Sequence, residues 1–320
     1  MVLILGKEYS ISTTVLKLSN SSLNTIPQNI YQLTQLKVLH ISCNNLEIIP
    51  SKIYLLTNLE ELYMGSNLIT FIPNELFQLT NLRILDLSFN KIKIIPDFIG
   101  KLVNLEDLLL SYNKIDHIPS NIFSLKKLRT LDLCRNKLTT LPLSVCSLGK
   151  LEKLYIECNQ IYHLPKEIGC MINLKTLCAE SNMIRTVPNE INKMICLQKL
   201  VLTSNKIEVI PSNMFELTSL EYLYLGCNRI KVIPSNINNL KNLVYLDMYQ
   251  NKIKEIPKEL SLLKHFSVLY IGYNDIKSVP KEVLTMDSLE YINMYRNPMK
   301  SISTKKYENN LVGLKEKMVN

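Results

Sequence analysis

With 320 residues, 47% of them hydrophobic and 20% charged, the chain can bury a large core, which excludes a disordered tail. Its formal charge of +9 admits an anionic partner without demanding one. The eight cysteines (Cys43, Cys134, Cys146, Cys158, Cys170, Cys178, Cys196 and Cys227) show no CxxC or CxC spacing, so they read as thiols of a reducing compartment rather than as a disulfide framework.

The first apolar stretch, Val2-Leu3-Ile4-Leu5, is cut off by Gly6, Lys7 and Glu8. A signal peptide needs an apolar run of roughly 7–15 residues and a membrane helix about 20, so neither is expected. Asn20-Ser21-Ser22 then reads as a chance glycosylation match. From Pro27 to Pro280 twelve prolines recur at a constant step of 23 residues. Asparagine keeps the same step at Asn44, Asn67, Asn90, Asn113, Asn136, Asn159, Asn182, Asn205, Asn228, Asn251, Asn274 and Asn297. No insertion breaks either series, which predicts one array and not two domains with a linker.

The stretch from Leu82 to Ile92 serves as the type unit. Leu85 and Leu87 alternate, which places both on one face of a short strand. One unit cannot bury that row alone, so neighbours must stack, with strands paired in parallel at about 4.8 Å. The recurring asparagine carries donors and an acceptor and can satisfy backbone groups orphaned where the chain leaves the strand. In the second half Ile99, Leu102 and Leu105 fall three apart, which predicts a helical or 3₁₀ turn opening at the proline.

The pattern L-x-x-L-x-L-x-x-N-x-I, followed by Ile95-Pro96 and Ile99, resembles the leucine-rich-repeat family in its 23-residue class, over about residues 13–302. The resemblance implies an α/β fold, a right-handed horseshoe solenoid of about 12–13 repeats. A parallel sheet would line its concave face and short helical or 3₁₀ turns its convex face. At the ends Ser21 replaces the ladder asparagine and Ser303 the proline, so residues 1–15 are expected to cap the array of 16–302. Tyr307, Leu311, Leu314 and Met318 recur at helical spacing and predict a C-terminal capping helix over 303–320.

Function should reside where the repeats differ, at the strand positions flanking the inward leucines. Here the central repeats lean acidic, with Asp86, Asp107, Asp132 and Glu157 among the outward residues. Over units two to thirteen this face holds twelve acidic residues against eight basic ones. Tyrosine gathers on the same face: Tyr63, Tyr112 and Tyr155, then Tyr222, Tyr224, Tyr245, Tyr249, Tyr270, Tyr273, Tyr291 and Tyr295. Tyrosine offers a large contact area at little rotamer cost, which suits a protein interface. The alternative is that the rings merely stack along the sheet. Three units share Tyr-x-Gly-x-Asn, at Tyr63-Gly65, Tyr224-Gly226 and Tyr270-Gly272, where the glycine is expected to leave a shallow pocket beside the ring.

Lys91, Lys114, Lys137, Lys206, Arg229 and Lys252 directly follow ladder asparagines and form a basic rim. It reads first as a solvated edge, and otherwise as a contact for an anionic surface or nucleic acid. Catalysis, a metal and a cofactor are not expected. His40, His117, His163 and His265 are scattered, Cys134, Cys158 and Cys178 lack a fourth converging ligand, and neither a phosphate loop nor a nucleophile elbow is present. The chain looks most like the Ras-group (Ras-suppressor-type) scaffolds of the family. That likeness implies a cytoplasmic signalling adaptor whose concave face binds a protein such as a small GTPase or a phosphatase, with nucleic acid the lesser alternative.

Overall fold

A computed structural model describes residues 1–299 of the chain, and the expected helix at 303–320 lies outside them. The chain falls into two compact units, residues 1–161 and residues 162 onward. In the first, seven parallel strands follow one another in chain order: β3 (Val15–Lys17), β4 (Val38–His40), β5 (Glu61–Tyr63), β6 (Ile84–Asp86), β7 (Asp107–Leu109), β8 (Thr130–Asp132) and β9 (Lys153–Tyr155). The second holds six: β10 (Thr176–Cys178), β11 (Lys199–Val201), β12 (Tyr222–Tyr224), β13 (Tyr245–Asp247), β14 (Val268–Tyr270) and β15 (Tyr291–Asn293). Within each unit every strand pairs with the next in a register of 23 residues, such as Leu62↔Leu85 and Leu223↔Leu246.

Every strand is three residues long, and its central residue points inward. Leu85, Leu108, Leu223 and Leu246 are fully buried, while the residues on either side face outward. The back of nearly every repeat is a five-residue 3₁₀ segment, as in Asp97–Lys101. Its proline stands one residue earlier, in extended conformation, and its carbonyl opens the turn by accepting from Ile99 N at 3.0 Å. Proline has no N–H to leave orphaned at that point. Ile99 and Leu102 then carry the bonding on to Leu102 N and Leu105 N, and the side chains of all three are buried. Three-residue spacing matches the 3₁₀ repeat, so the periodicity and the backbone agree. After Pro280 the segment is a single α-helical turn, Lys281–Leu284.

The chain begins with a hairpin of β1 (Val2–Ile4) and β2 (Lys7–Tyr9), paired antiparallel as Val2↔Tyr9 and Ile4↔Lys7. Leu5 and Gly6, at φ 46° and 77°, make the two-residue left-handed turn that such hairpins favour. Val2 and Ile4 are buried, and Asn29 Nδ2 donates to Leu3 O at 2.9 Å, tying the hairpin to the first 3₁₀ segment, Gln28–Gln32.

Where each strand from β4 to β15 ends, one residue enters the left-handed region. Cys43, Ser66, Phe89, Tyr112, Arg135, Cys158, Ser181, Ser204, Cys227, Gln250, Tyr273 and Arg296 all have φ between 50° and 59°. None is a glycine, although such φ values cost an L-residue roughly 1–2 kcal/mol. The ladder asparagine that follows holds the turn in place. Asn90 Oδ1 accepts from Ile69 N at 2.9 Å, and its Nδ2 donates to the carbonyls of Met64, Leu87 and Ser88 at 3.0–3.1 Å. Asn67, Asn113, Asn228 and Asn274 repeat the same four bonds, each less than a tenth exposed.

Candidate protein-interaction surface

The outward strand positions, with the left-handed residue beyond them, form one face in each unit. In the first unit the residue just before each strand from β4 to β9 adds a row of its own: Lys37, Glu60, Arg83, Glu106, Arg129 and Glu152. Their backbones are in register, Arg83 N donating to Glu60 O at 2.7 Å and Glu106 N to Arg83 O at 2.8 Å. The charges alternate and pair: Lys37–Glu60 at 2.8 Å, Arg83–Glu106 at 2.9 Å and Arg129–Glu152 at 2.6 Å. Lys37 holds the Glu60 carboxyl below the usual carboxylate range, and Arg83 does the same for Glu106. Each of these carboxylates therefore has a basic partner within the chain.

The predicted carboxylates do different work from one another. Asp86 Oδ1 accepts from Ser88 N at 2.9 Å and Asp132 Oδ1 from Cys134 N at 2.9 Å, closing the turn that leaves the strand. Asp107 stands half-buried at the start of β7. Glu157 Oε2 accepts the Cys134 thiol at 2.6 Å. Burial and that carboxylate push the Cys134 thiol well up, so it is no activated nucleophile. Tyr63 stacks on His40, with centroids 4.5 Å apart and planes 6° apart, and donates its phenol to Glu61 at 2.9 Å. Burial and Glu61 push its pKa up to about 12. Tyr112, at a left-handed position, stacks on Phe89 at 4.0 Å, and the Arg135 guanidinium lies over its ring at 4.9 Å. Tyr155 sits half-buried at the end of β9.

In the second unit the tyrosines form two rows. Tyr224, Tyr245, Tyr270 and Tyr291 zigzag across β12 to β15 with successive centroids 4.7, 5.5 and 5.1 Å apart. Beyond the strands Tyr249, Tyr273 and Tyr295 follow at 5.0 and 5.6 Å. Tyr222, also exposed, begins β12. Lys199 Nζ lies over the Tyr224 ring at 5.6 Å and Arg296 over that of Tyr295 at 5.3 Å. Burial pushes the phenols of Tyr224, Tyr245, Tyr249 and Tyr270 up, so they remain donors at neutral pH.

The glycines of the Tyr-x-Gly-x-Asn units leave no pocket. A Cβ on Gly65 would lie 3.1 Å from Asp86 Oδ2, and one on Gly226 would lie 2.8 Å from Asp247 Oδ2. On Gly272 it would meet Asn293 Oδ1 at 2.7 Å. In each case the next repeat fills the space with a carboxylate or amide. Asp247 then accepts from Tyr249 N at 2.8 Å, and Asn293 from Tyr295 N at 3.1 Å. Burial among the rings pushes the Asp247 carboxyl up.

Among the described residues no group of three or more His, Cys, Asp or Glu could hold a metal ion, and no disulfide joins any of the eight cysteines. No helix among them is long and apolar enough to cross a membrane.

Leucine-rich-repeat sequence patterns match residues 11–69 and 195–253, residues 57–100 as two copies, and residues 82–182 as a leucine-rich-repeat region. A solved leucine-rich-repeat protein of Leptospira interrogans is 32% identical over 88% of this chain and 78% of its own, with a TM-score of 0.76. The chain belongs to the leucine-rich-repeat family. An internalin of Listeria monocytogenes is 25% identical over 93% of this chain and 86% of its own, at TM-score 0.84. A plant peptide hormone receptor, RGFR1, solved in complex with RGF2, is 26% identical over 86% of this chain and 53% of its own, at TM-score 0.68. No curated protein sequence matches the chain.

Leucine-rich-repeat folds generally mediate protein–protein interaction. Three features of this leucine-rich-repeat chain escaped sequence reasoning. One is the pairing of the alternating charges, which was readable as a 23-residue step of opposite signs. A second asparagine series is another: Asn58, Asn81 and Asn104 donate to the carbonyls of Thr34, Thr57 and Thr80 at 2.8–2.9 Å. The third is the left-handed row, for which no glycine gave a signal.

Proposed function

We propose that this leucine-rich-repeat chain is a non-catalytic adaptor of the cell interior that binds a protein through its outward strand face. The principal contact is the tyrosine surface of the second unit. What supports this reading most is the mutual packing of Tyr224, Tyr245, Tyr270 and Tyr291, with Tyr249, Tyr273 and Tyr295 beside them. Rings already ordered against one another lose little freedom when a partner arrives, and protonated phenols at their tips supply donors. Tyr63, Tyr112 and Tyr155, with Asp107 and Glu157, extend the contact in the first unit. Asp86, Asp132 and Asp247 serve mainly to hold the turns. Resemblance to the Ras-group scaffolds makes a small GTPase or a phosphatase the partner class to try first, in a signalling role. Cysteines without framework spacing support a reducing compartment.

The test is affinity capture from cell lysate with the wild type and with Tyr224, Tyr249 and Tyr270 replaced together by alanine, at low and high salt. A protein retained at high salt and lost with the variant is the expected result. Binding that survives all three substitutions refutes the tyrosine surface. A catch of nucleic acid, indifferent to the tyrosines and released by salt, would move the function to the basic rim of Lys91, Lys114, Lys137, Lys206, Arg229 and Lys252.

A further inference from the structure

The charge row of the first unit reads Lys37, Glu60, Arg83, Glu106, Arg129, Glu152, each directly before its strand, so it forms a rim at the strand starts. The paired side chains are between 25% and 56% exposed. A shallow polar depression of about 380 Å³ runs along the same rim, lined by the first four of these residues together with Asn58, Asn81, Asn104 and Lys127. Within the chain the pairing is incomplete. Glu60 and Arg83 make no ion pair, and Arg83 spends only its Nε on Glu106. Both terminal nitrogens of the Arg83 fork have no hydrogen-bond partner among the described residues, and that fork suits a second carboxylate held by two parallel bonds.

An alternating row is self-complementary under one two-fold arrangement. Place the axis normal to the strand face, between β6 and β7, so that two rims meet with their repeats in opposite order. Lys37 then faces Glu152 of the second copy, Glu60 faces Arg129, and Arg83 faces Glu106; by symmetry each pair occurs twice. Every contact in the row is between opposite charges. A slip that moves the axis onto Glu106 turns every contact into one of like charge (Glu106 on Glu106, Arg83 on Arg129, Glu60 on Glu152), so the row also dictates the register. The flanking column agrees: Asn58 meets Lys127, Asn81 meets Asn104 and Gln35 meets Lys150, with no like-charge pair.

We propose that the strand-start rim of the first unit is the docking surface for a second copy of this chain, in a salt-sensitive two-fold dimer centred on Arg83 and Glu106. The contact lies at the strand starts and leaves the outward face of both copies open for a different protein. It does not depend on the tyrosine surface.

The experiment is sedimentation equilibrium of the full chain at low and high salt, on the wild type, on R83E, on E106R, and on an equimolar mixture of the two variants. The wild type should dimerise at low salt and dissociate as salt rises. Each single reversal sets two like-charge contacts in place of two opposite ones and should weaken the dimer on the order of 100-fold or more. The mixture should dimerise again, because Glu at position 83 of one chain then faces Arg at position 106 of the other. A purely intrachain role for the row predicts no such rescue. Far-UV circular dichroism checks that the variants fold, and if either reversal unfolds, R83Q and E106Q replace it, each expected to weaken the dimer without altering the spectrum. A wild type that stays monomeric at low salt, a dimer unaffected by both reversals, or a mixture no better than its components would each overturn the proposal.

Discussion

Asn113 is the position at which the architecture is most directly tested by one substitution. It is 9% exposed, accepts from Ile92 N at 2.9 Å, and donates to the carbonyls of Leu87, Leu110 and Ser111 at 2.9, 3.1 and 3.3 Å. Asn113→Ala removes all four bonds, but their consequences differ. Leu87 O still accepts from Asn90, Leu110 O from Asn136, and Ser111 O from Phe89 N. Ile92 N loses its acceptor inside the core. One orphaned buried N–H costs roughly 1–3 kcal/mol, and the thinned carbonyl bonding adds on the order of 1 kcal/mol, so a loss of about 2–4 kcal/mol is expected. Asn81→Ala is the control, because exposed Asn81 makes a single bond to Thr57 O and should cost under about 1 kcal/mol. Urea unfolding followed by far-UV circular dichroism measures both, and hydrogen exchange at the Ile92 amide locates the damage. A cost for Asn113→Ala no larger than for Asn81→Ala would refute the ladder as the element that holds the turns. Asn113→Asp sharpens the test, since it keeps the acceptor but sets a carboxylate against three carbonyl oxygens. That carboxyl would titrate above its unfolded value in the folded chain. Its stability should therefore be greatest in acid and be lost as pH rises through the folded pKa, a trend that Asn113→Ala should not show.

Asp247→Asn should stabilise the second unit at neutral pH. The amide keeps the acceptor for Tyr249 N, as Asn293 does for Tyr295 N, and relieves a carboxylate whose pKa burial has raised above 3.8. A raised carboxyl contributes its stability in the protonated form, so the advantage of asparagine should vanish below that ordinary value; a gain that persists in acid would point to another cause. Gly226→Ala should cost about 1–3 kcal/mol from its Cβ against Asp247, and Asp247→Ala should suppress most of that cost in a double-mutant cycle. Additive effects would show that the two do not share space. At the left-handed Ser204, valine should lower thermal stability by about 1–2 kcal/mol while glycine is nearly neutral, and equal tolerance of both would contradict the assigned backbone.

The fold was legible because a stacked array forces every repeat to solve one problem in one way. Leu85 and Leu87 had to alternate, Pro96 had to precede its turn, and Asn90 had to close the strand, so each choice recurs at a step of 23, the proline and the asparagine twelve times each. The surface was legible only in part, because a strand position says which way a residue points but not what it meets. Asp86 and Asp247 point outward with the tyrosines, yet their nearest task is to accept Ser88 N and Tyr249 N across the turn. Gly65 and Gly226 looked like gaps, because the residue filling them lies 21 positions later, in the next repeat. Phe89 and Tyr112 gave no sign of left-handed backbone, which glycine or asparagine normally marks.

The absence of a signal at Phe89 and Tyr112 has a physical cause, and it bears on function. The φ strain at Phe89 is offset by its N–H bond to Ser111 O and by the four bonds of Asn90, so the position need not be glycine and is released to carry side chains that are not branched at Cβ. The ladder thus does two things at once: it satisfies the buried backbone, and it converts a turn that would otherwise demand glycine into a variable outward position. Phe89, Tyr112 and Arg135 occupy it in the first unit, and Tyr273 and Arg296 in the second. Their stacks, Phe89–Tyr112–Arg135 and Tyr249–Tyr273–Tyr295, exist because the invariant part of the repeat bears the strain of the variable part.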